Sequence, residues 1–223
     1  MANYLIRVRL PDRPGALGAV ASRIGAVGAD VVSIDILQRE GGVVVDELGV
    51  GLATEDLIEL LRGEILEVDG VSVEAVRAID GPLPDRHAEI LEIATTLFEQ
   101  TTPTGVIEYL VAQVRSSLSA TFVGALDPNA PWPVAVDGDV PGDEELRNLA
   151  RQVGVPHAPP PADGLAVLLD DHVAAARLTR AGVVLVVGRS DLVFRTRERQ
   201  RVTTMAELAD HRWRELTARS SVG

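Results

Sequence analysis

From Tyr4 to Leu10 the apolar side chains of Tyr4, Ile6, Val8 and Leu10 alternate with Leu5, Arg7 and Arg9. A period of two predicts a half-buried strand whose apolar face lies on the even positions. Pro11-Asp12-Arg13-Pro14-Gly15 ends it. Leu17, Val20, Ala21, Ile24 and Val27 then recur at helical spacing, with Pro14 placed in the first turn and Gly28 as a left-handed stop. Residues 31–37 and 43–52 are β-rich runs joined by Glu40-Gly41-Gly42, a hairpin signal. Thr54 is placed to cap a second helix containing Leu57, Ile58, Leu60 and Leu61. Val71, Val73 and Val76 predict a last strand reaching about Ile79. The order βαββαβ predicts an α+β unit of the ferredoxin-like type over residues 1–80.

Asp80-Gly81-Pro82-Leu83-Pro84-Asp85 reads as a linker, since two prolines and a glycine carry neither a helix nor a central strand. Beyond it, Ile90, Leu91, Ile93, Ala94, Leu97 and Phe98 predict one amphipathic helix. Ile107, Leu110, Val111, Val114 and Leu118 predict another after Thr102-Pro103. Strands are expected at 120–126 and 132–136, and a helix near 143–152 inside an acidic stretch that otherwise reads as solvated loop. Three more strands are expected at 164–169, 174–179 and 183–187. Val202, Met205, Ala206, Ala209, Trp213 and Leu216 form one stripe of a terminal helix. A second unit over residues 86–219 thus has the order ααββ(α)βββα, and the two halves share no repeat.

The chain has 223 residues and a formal charge of −12; all 21 basic residues are Arg, with neither Lys nor Cys. Without Cys there is no thiolate nucleophile, disulfide or sulfur-bound metal, and without Lys neither a Walker-type phosphate lysine nor a Schiff base. The acidic balance disfavours nucleic acid and anionic membrane as partners, and seven aromatics offer little for base stacking. No apolar run is long enough for a bilayer, and Arg7 and Arg9 before Pro11 do not lead into a signal-peptide core. The expectation is a cytoplasmic protein.

The sharpest candidate site is the turn from the first strand into the first helix. Pro14 lacks an N–H and Gly15 lacks a Cβ, so a carboxylate can approach the free N–H groups of the helix start, where the dipole favours it. Asp12 and Asp30 are placed to accept hydrogen bonds from an ammonium group, which together describes a seat for a zwitterion. The plainer reading is that Asp12 caps the helix and Asp30 belongs to a turn. Strand, Asp12-Arg13-Pro14-Gly15-Ala16-Leu17, helix, Gly28-Ala29-Asp30-Val31 and the hairpin through Val44-Val45-Asp46-Glu47-Leu48 closely resemble the ACT domain, a regulatory amino-acid-binding module, over about residues 3–79. The resemblance implies side-by-side homodimers that bind an amino acid at the subunit interface. One partner offers the turn, here Leu10, Asp12, Arg13, Pro14, Gly15, Ala16 and Leu17, and the other offers Asp30, Val31 and Val32. Serine-binding members carry His and Asn in the turn and Asn at the strand entry; Leu10, Asp12 and Asp30 stand there in this chain, which argues against serine.

In the second unit, the opening helices, Val184-Leu185-Val186-Val187-Gly188-Arg189, Phe194, and Arg195-Thr196-Arg197-Glu198-Arg199 leading into a long helix resemble a GAF domain, a small-molecule sensor. With no Cys, covalent bilin attachment and thiol chemistry are excluded, so a sensor that has lost its ligand or a dimerisation unit is expected. Arg195, Arg197, Arg199 and Arg201 form the one basic cluster and read as a solvated first helical turn with Glu198 interspersed. Asp170-Asp171-His172 reads as a surface turn rather than a chelate, because neighbours in extended chain point to alternate faces. His87, His157 and His211 are scattered without triad partners, and Gly49-Val50-Gly51 lacks the third fingerprint glycine. Asp46-Glu47 lie side by side in a strand, so one of the two is expected to face solvent. No catalytic residue, metal or cofactor is expected. The reading is a non-catalytic regulatory protein that couples an amino-acid-binding homodimer to a GAF-like module; the alternative is a structural or partner-binding protein without ligands. A target protein is not named by the sequence.

Overall fold

A computed structural model describes residues 2–154, 161 and 163–220, the side chains at 87 and 220 excepted. The chain is α+β and divides into two compact units, Met1–Arg86 and His87–Gly223.

In the first unit, β1 (Ala2–Pro11), α1 (Ala16–Ala26), β2 (Asp30–Glu40), β3 (Val43–Leu52), α2 (Ile58–Leu66) and β4 (Ser72–Ile79) form an antiparallel sheet in the order β2-β3-β1-β4. This is the ferredoxin-like arrangement of an ACT-like unit. Tyr4, Ile6, Val8 and Leu10 lie in its core with Val20 and Ile24 of α1, Leu61 and Ile65 of α2, and Val44, Leu48, Val50 and Leu52 of β3. Gly41 and Gly42 both take positive φ, 60° and 77°, the pair a tight hairpin between twisted strands requires.

Three details depart from the sequence pattern. Gly15, at φ 86°, sets α1 to begin at Ala16, so Pro14 stands in the turn before the helix rather than in its first turn. Leu57 closes a short 3-10 turn, Glu55–Leu57, and α2 starts only at Ile58; Leu60 faces outward while Leu61 and Ile65 carry the burial. The strand β1 is covered on both faces: Leu5 and Arg7, on the odd positions, are as buried as the even ones. The expected linker contributes to this cover, because it returns to the sheet. Asn3 Nδ2 donates to the Gly81 carbonyl at 2.7 Å, Leu83 lies against Gly49, and Arg86 pairs with Glu47.

The second unit contains α3 (Arg86–Glu99), α4 (Pro103–Leu118), β5 (Phe122–Leu126), β6 (Ala135–Gly138), α5 (Asp143–Gln152), β7 (Val167–Asp170), β8 (Val173–Leu178), β9 (Val183–Gly188) and α6 (Thr196–Ser220). Its strands make one antiparallel sheet in the order β6-β5-β9-β8-β7, a GAF-like arrangement. The larger core joins one sheet face, through Val123, Ala125, Ala174, Ala176, Leu185 and Val187, to α3, α4 and α6. On the other face Leu126, Val184 and Val186 receive Leu146 and Ala150 of α5. Leu146 fills the space a Cβ at Gly124 would need, which is how α5 comes so close to the sheet. Thr102 caps α4 by accepting from Gly105 N–H at 3.1 Å. The expected strand at 132–136 is displaced to Ala135–Gly138, and Trp132 lies outside it, 71% exposed.

Candidate functional site

The β1–α1 turn is built by backbone bonds that consume most of its donors. Asp12 N–H donates to the Gly42 carbonyl at 2.8 Å, Arg13 N–H to Pro11 at 2.9 Å, Ala16 N–H to Arg13 at 3.3 Å and Ala19 N–H to Gly15 at 2.9 Å. Among the described residues this leaves Leu17 and Gly18 N–H without a backbone acceptor in the first turn of α1, fewer free donors than the sequence implies. Among the described residues no side chain caps α1, so Asp12 is not a helix cap. Its carboxylate meets Arg39 instead, Oδ1 to Nη2 at 2.8 Å. Arg13 lies 3.8 Å from Asp69, both well exposed, a pair worth little in water. Pro14 and Gly15 are exposed, Leu17 is half-buried, and Leu10 and Ala16 belong to the core, shaping the turn without facing a ligand.

Asp30, Val31 and Val32 lie at the other end of the sheet. Pro11 is opposite Val43 and Asp30 is opposite Gly51, eight residues further along β3. At about 3.3 Å per residue that is about 26 Å, so within one chain the structure does not bring Asp30 to the turn. Asp30 and Val32 are exposed and Val31 packs on the core.

Asp46 and Glu47 correct the expectation that one of them faces solvent. Asp46, opposite Val8 on β1 and Ile36 on β2, shares the core-facing register of Val44 and Leu48; it is 2% exposed and its Oδ1 has no hydrogen-bond partner. Desolvation raises its pKa, Arg39 draws it down and Asp35 pushes it up, and the net shift is upward. Glu47, on the opposite face, takes Arg7 at 3.2 Å and Arg86 at 3.1 Å. Burial alone would raise its pKa, but the two guanidiniums outweigh it and hold the carboxyl below its ordinary range. Both charges were hidden from local pattern, yet the alternation Val44, Leu48, Val50, Leu52 already puts position 46 inward.

The basic cluster is also not the solvated turn it resembles. Glu198 is buried against Arg189, Arg199 Nε donates to the Ala166 carbonyl at 2.8 Å, and Arg197 is exposed. Asp170-Asp171-His172 forms the β7–β8 turn, with Asp170 Oδ1 accepting from His172 N–H at 2.7 Å. Gly49 and Gly51 lie within β3, and His211 is exposed on α6; His157 and the side chain of His87 fall outside the described residues. Among the described residues no three His, Asp or Glu side chains gather to hold a metal ion, and no helix is long and apolar enough to cross a membrane.

The sequence matches no protein-family model and no curated protein. Among solved structures it is similar to the ACT domain of the GTP pyrophosphokinase of Chlorobium tepidum, at 18% identity over 35% of this chain and 100% of that one, with a TM-score of 0.29. An unknown protein from Galdieria sulphuraria matches at 16% identity, covering 59% of this chain and 75% of its own, with a TM-score of 0.32. The chromophore-binding domain of an unusual bacteriophytochrome from R. palustris matches at 12% identity, 97% and 94% coverage and a TM-score of 0.39. At these values the fold is carried by the chain's own strand orders.

Proposed function

We propose that the chain is a non-catalytic regulatory protein whose first unit forms a side-by-side homodimer and binds an amino acid between the copies, and whose GAF-like second unit carries the response. The observation that supports this is the edge strand β2. It is 11 residues long, and Val32, Ile34 and Ile36 are 60%, 48% and 49% exposed along it. A long, apolar, unpaired edge is a liability that a partner strand removes. Two-fold pairing of β2 with itself about Asp35 sets Ile34 of one copy opposite Ile36 of the other, a self-complementary contact. The same pairing sets Asp30 of one copy opposite Glu40 of the other, beside that copy's turn, because Glu40 and Pro11 both flank Val43. The 26 Å that separates the two halves of the site within one chain shortens between two copies to three strand spacings, about 14 Å.

Sedimentation velocity on the purified chain and on Ile34→Asp, combined with a thermal-shift screen of the twenty amino acids, tests the reading. A dimer that dissociates in Ile34→Asp, together with a shift for at least one amino acid, is the expected result; a ligand at 100 times its dissociation constant adds about 2.7 kcal/mol. A monomeric wild type with a flat screen overturns the proposal. The Asp12–Arg39 contact at 2.8 Å favours a second reading, a structural oligomer whose turn is already neutralised from within; a dimer with a flat screen would select it.

A further inference from the structure

A carboxylate buried in a core with an oxygen that accepts no hydrogen bond is costly. Asp46 is in that position. Two carboxylates, Asp12 and Asp46, stand near one guanidinium, that of Arg39. Its close contact is with Asp12, and Asp46 Oδ1 is left without a partner at 2% exposure. Ile36, directly across the ladder from Asp46, is half exposed on the edge strand. An aliphatic side chain beside a buried acid suits a methylene chain that ends in a cation.

We propose that Asp46 is the seat for the terminal ammonium of an aliphatic, basic amino acid, whose stem lies along Ile36 and whose carboxylate takes the Leu17 and Gly18 N–H groups. This rests on the reading of the first unit as an amino-acid receptor and names its ligand class. Asp46 pairs with Val8, three residues or about 10 Å of strand before Pro11 begins the turn, so its partner charge belongs far from the ligand's carboxylate. An α-ammonium does not meet that requirement and a side-chain ammonium does. Asp12, already closed by Arg39, is not the primary cation seat.

Isothermal titration of the full chain with L-lysine, L-norleucine and cadaverine tests this, in the wild type and in Asp46→Asn. Norleucine keeps the stem and loses the terminal ammonium; cadaverine keeps the stem and loses the carboxylate. The expected result is lysine binding that falls at least tenfold for each analogue and at least tenfold in Asp46→Asn. The variant removes a charge whose desolvation outweighs its attraction to Arg39, so its melting temperature should be no lower than that of the wild type, and lost binding then does not reflect lost folding. Norleucine binding as tightly as lysine, or Asp46→Asn binding lysine as the wild type does, overturns the proposal and leaves the receptor reading intact. Binding of only neutral amino acids in the thermal-shift screen does the same. A screen in which none of the twenty amino acids binds overturns both.

Discussion

Asp46 and Glu47 are consecutive residues of β3, point to opposite faces of the sheet, and are both shielded from water under opposite electrostatic conditions. Glu47 lies between two guanidiniums, Arg7 and Arg86, and is held ionised. Asp46 is desolvated without a matching donor on Oδ1 and is held toward its neutral form. One residue ties the sheet to the segment that follows β4, and the other sits desolvated on the helix-covered side.

Glu47→Gln is expected to destabilise the first unit by about 3 kcal/mol, because it removes the carboxylate that pairs with the buried Arg7 and with Arg86. The pH dependence has a definite sign. Since the folded carboxyl titrates below the ordinary value of 4.5, its contribution is fully present above pH 4.5 and is lost as the pH falls through the folded value. Thermal melts followed by far-ultraviolet circular dichroism should show a wide gap between wild type and variant at neutral pH that narrows below pH 4.5. A gap of constant width across that range would rule out the ion pair as its source.

Asp46→Asn should show the opposite trend. An acid whose folded pKa lies above the unfolded value of 3.8 opposes folding wherever it is ionised, so removing the charge stabilises at neutral pH. Below pH 3.8 both proteins are neutral at this position and the two melting curves should converge. A variant less stable than the wild type at pH 7 would mean that Asp46 is already compensated in the folded chain.

What local pattern conveys well in this chain are elements whose ends carry their own chemistry. Residues 43–52 and 143–152 are predicted with the bounds the structure has, the first bracketed by Gly41-Gly42 and Ala53, the second by Gly142 and the acidic first turn Asp143, Glu144 and Glu145. The even face of β1 is equally plain. Hidden from the sequence are relationships whose partners lie far along the chain. Arg7 is buried against Glu47, which also takes Arg86, and Glu198 is buried against Arg189, nine residues earlier and around a bend. The separation of the β1–α1 turn from Asp30 follows from the sheet order, which no local window contains.

Two glycines in contrasting surroundings give a paired test of packing. Gly25 lies within α1 and a Cβ there meets nothing within 4 Å, so Gly25→Ala should stabilise by about 0.5–1 kcal/mol through helix propensity alone. At Gly188, the last residue of β9, a Cβ would collide with the Phe122 ring across the ladder. Gly188→Ala should therefore cost about 1–3 kcal/mol as the ring is forced aside. Urea midpoints of the two variants should shift in opposite directions, and equal shifts would contradict the packing at Phe122.

The second unit hangs a large share of its polar satisfaction on Arg189. Its Nε donates to the Leu192 carbonyl at 2.7 Å, Nη1 to the Leu118 carbonyl at 3.3 Å and Glu198 Oε1 at 2.7 Å, and Nη2 to the Val193 carbonyl at 2.6 Å and Glu198 Oε2 at 2.7 Å. The guanidinium also stacks 4.2 Å from the centre of the Phe194 ring. Lysine has neither the planar fork nor enough donors for this geometry, so Arg189→Lys should lose nearly as much stability as Glu198→Gln, about 3–5 kcal/mol each. The double change Arg189→Met with Glu198→Leu removes both charges and should cost less than the two single losses added together. It should still fall short of the wild type, because the Leu118, Leu192 and Val193 carbonyls lose their donor. Trp132 and Trp213 both lie in this unit, so tryptophan fluorescence during urea unfolding isolates it from the first. Single variants within about 0.5 kcal/mol of the wild type would show that the buried pair is not what closes the start of α6 onto the sheet.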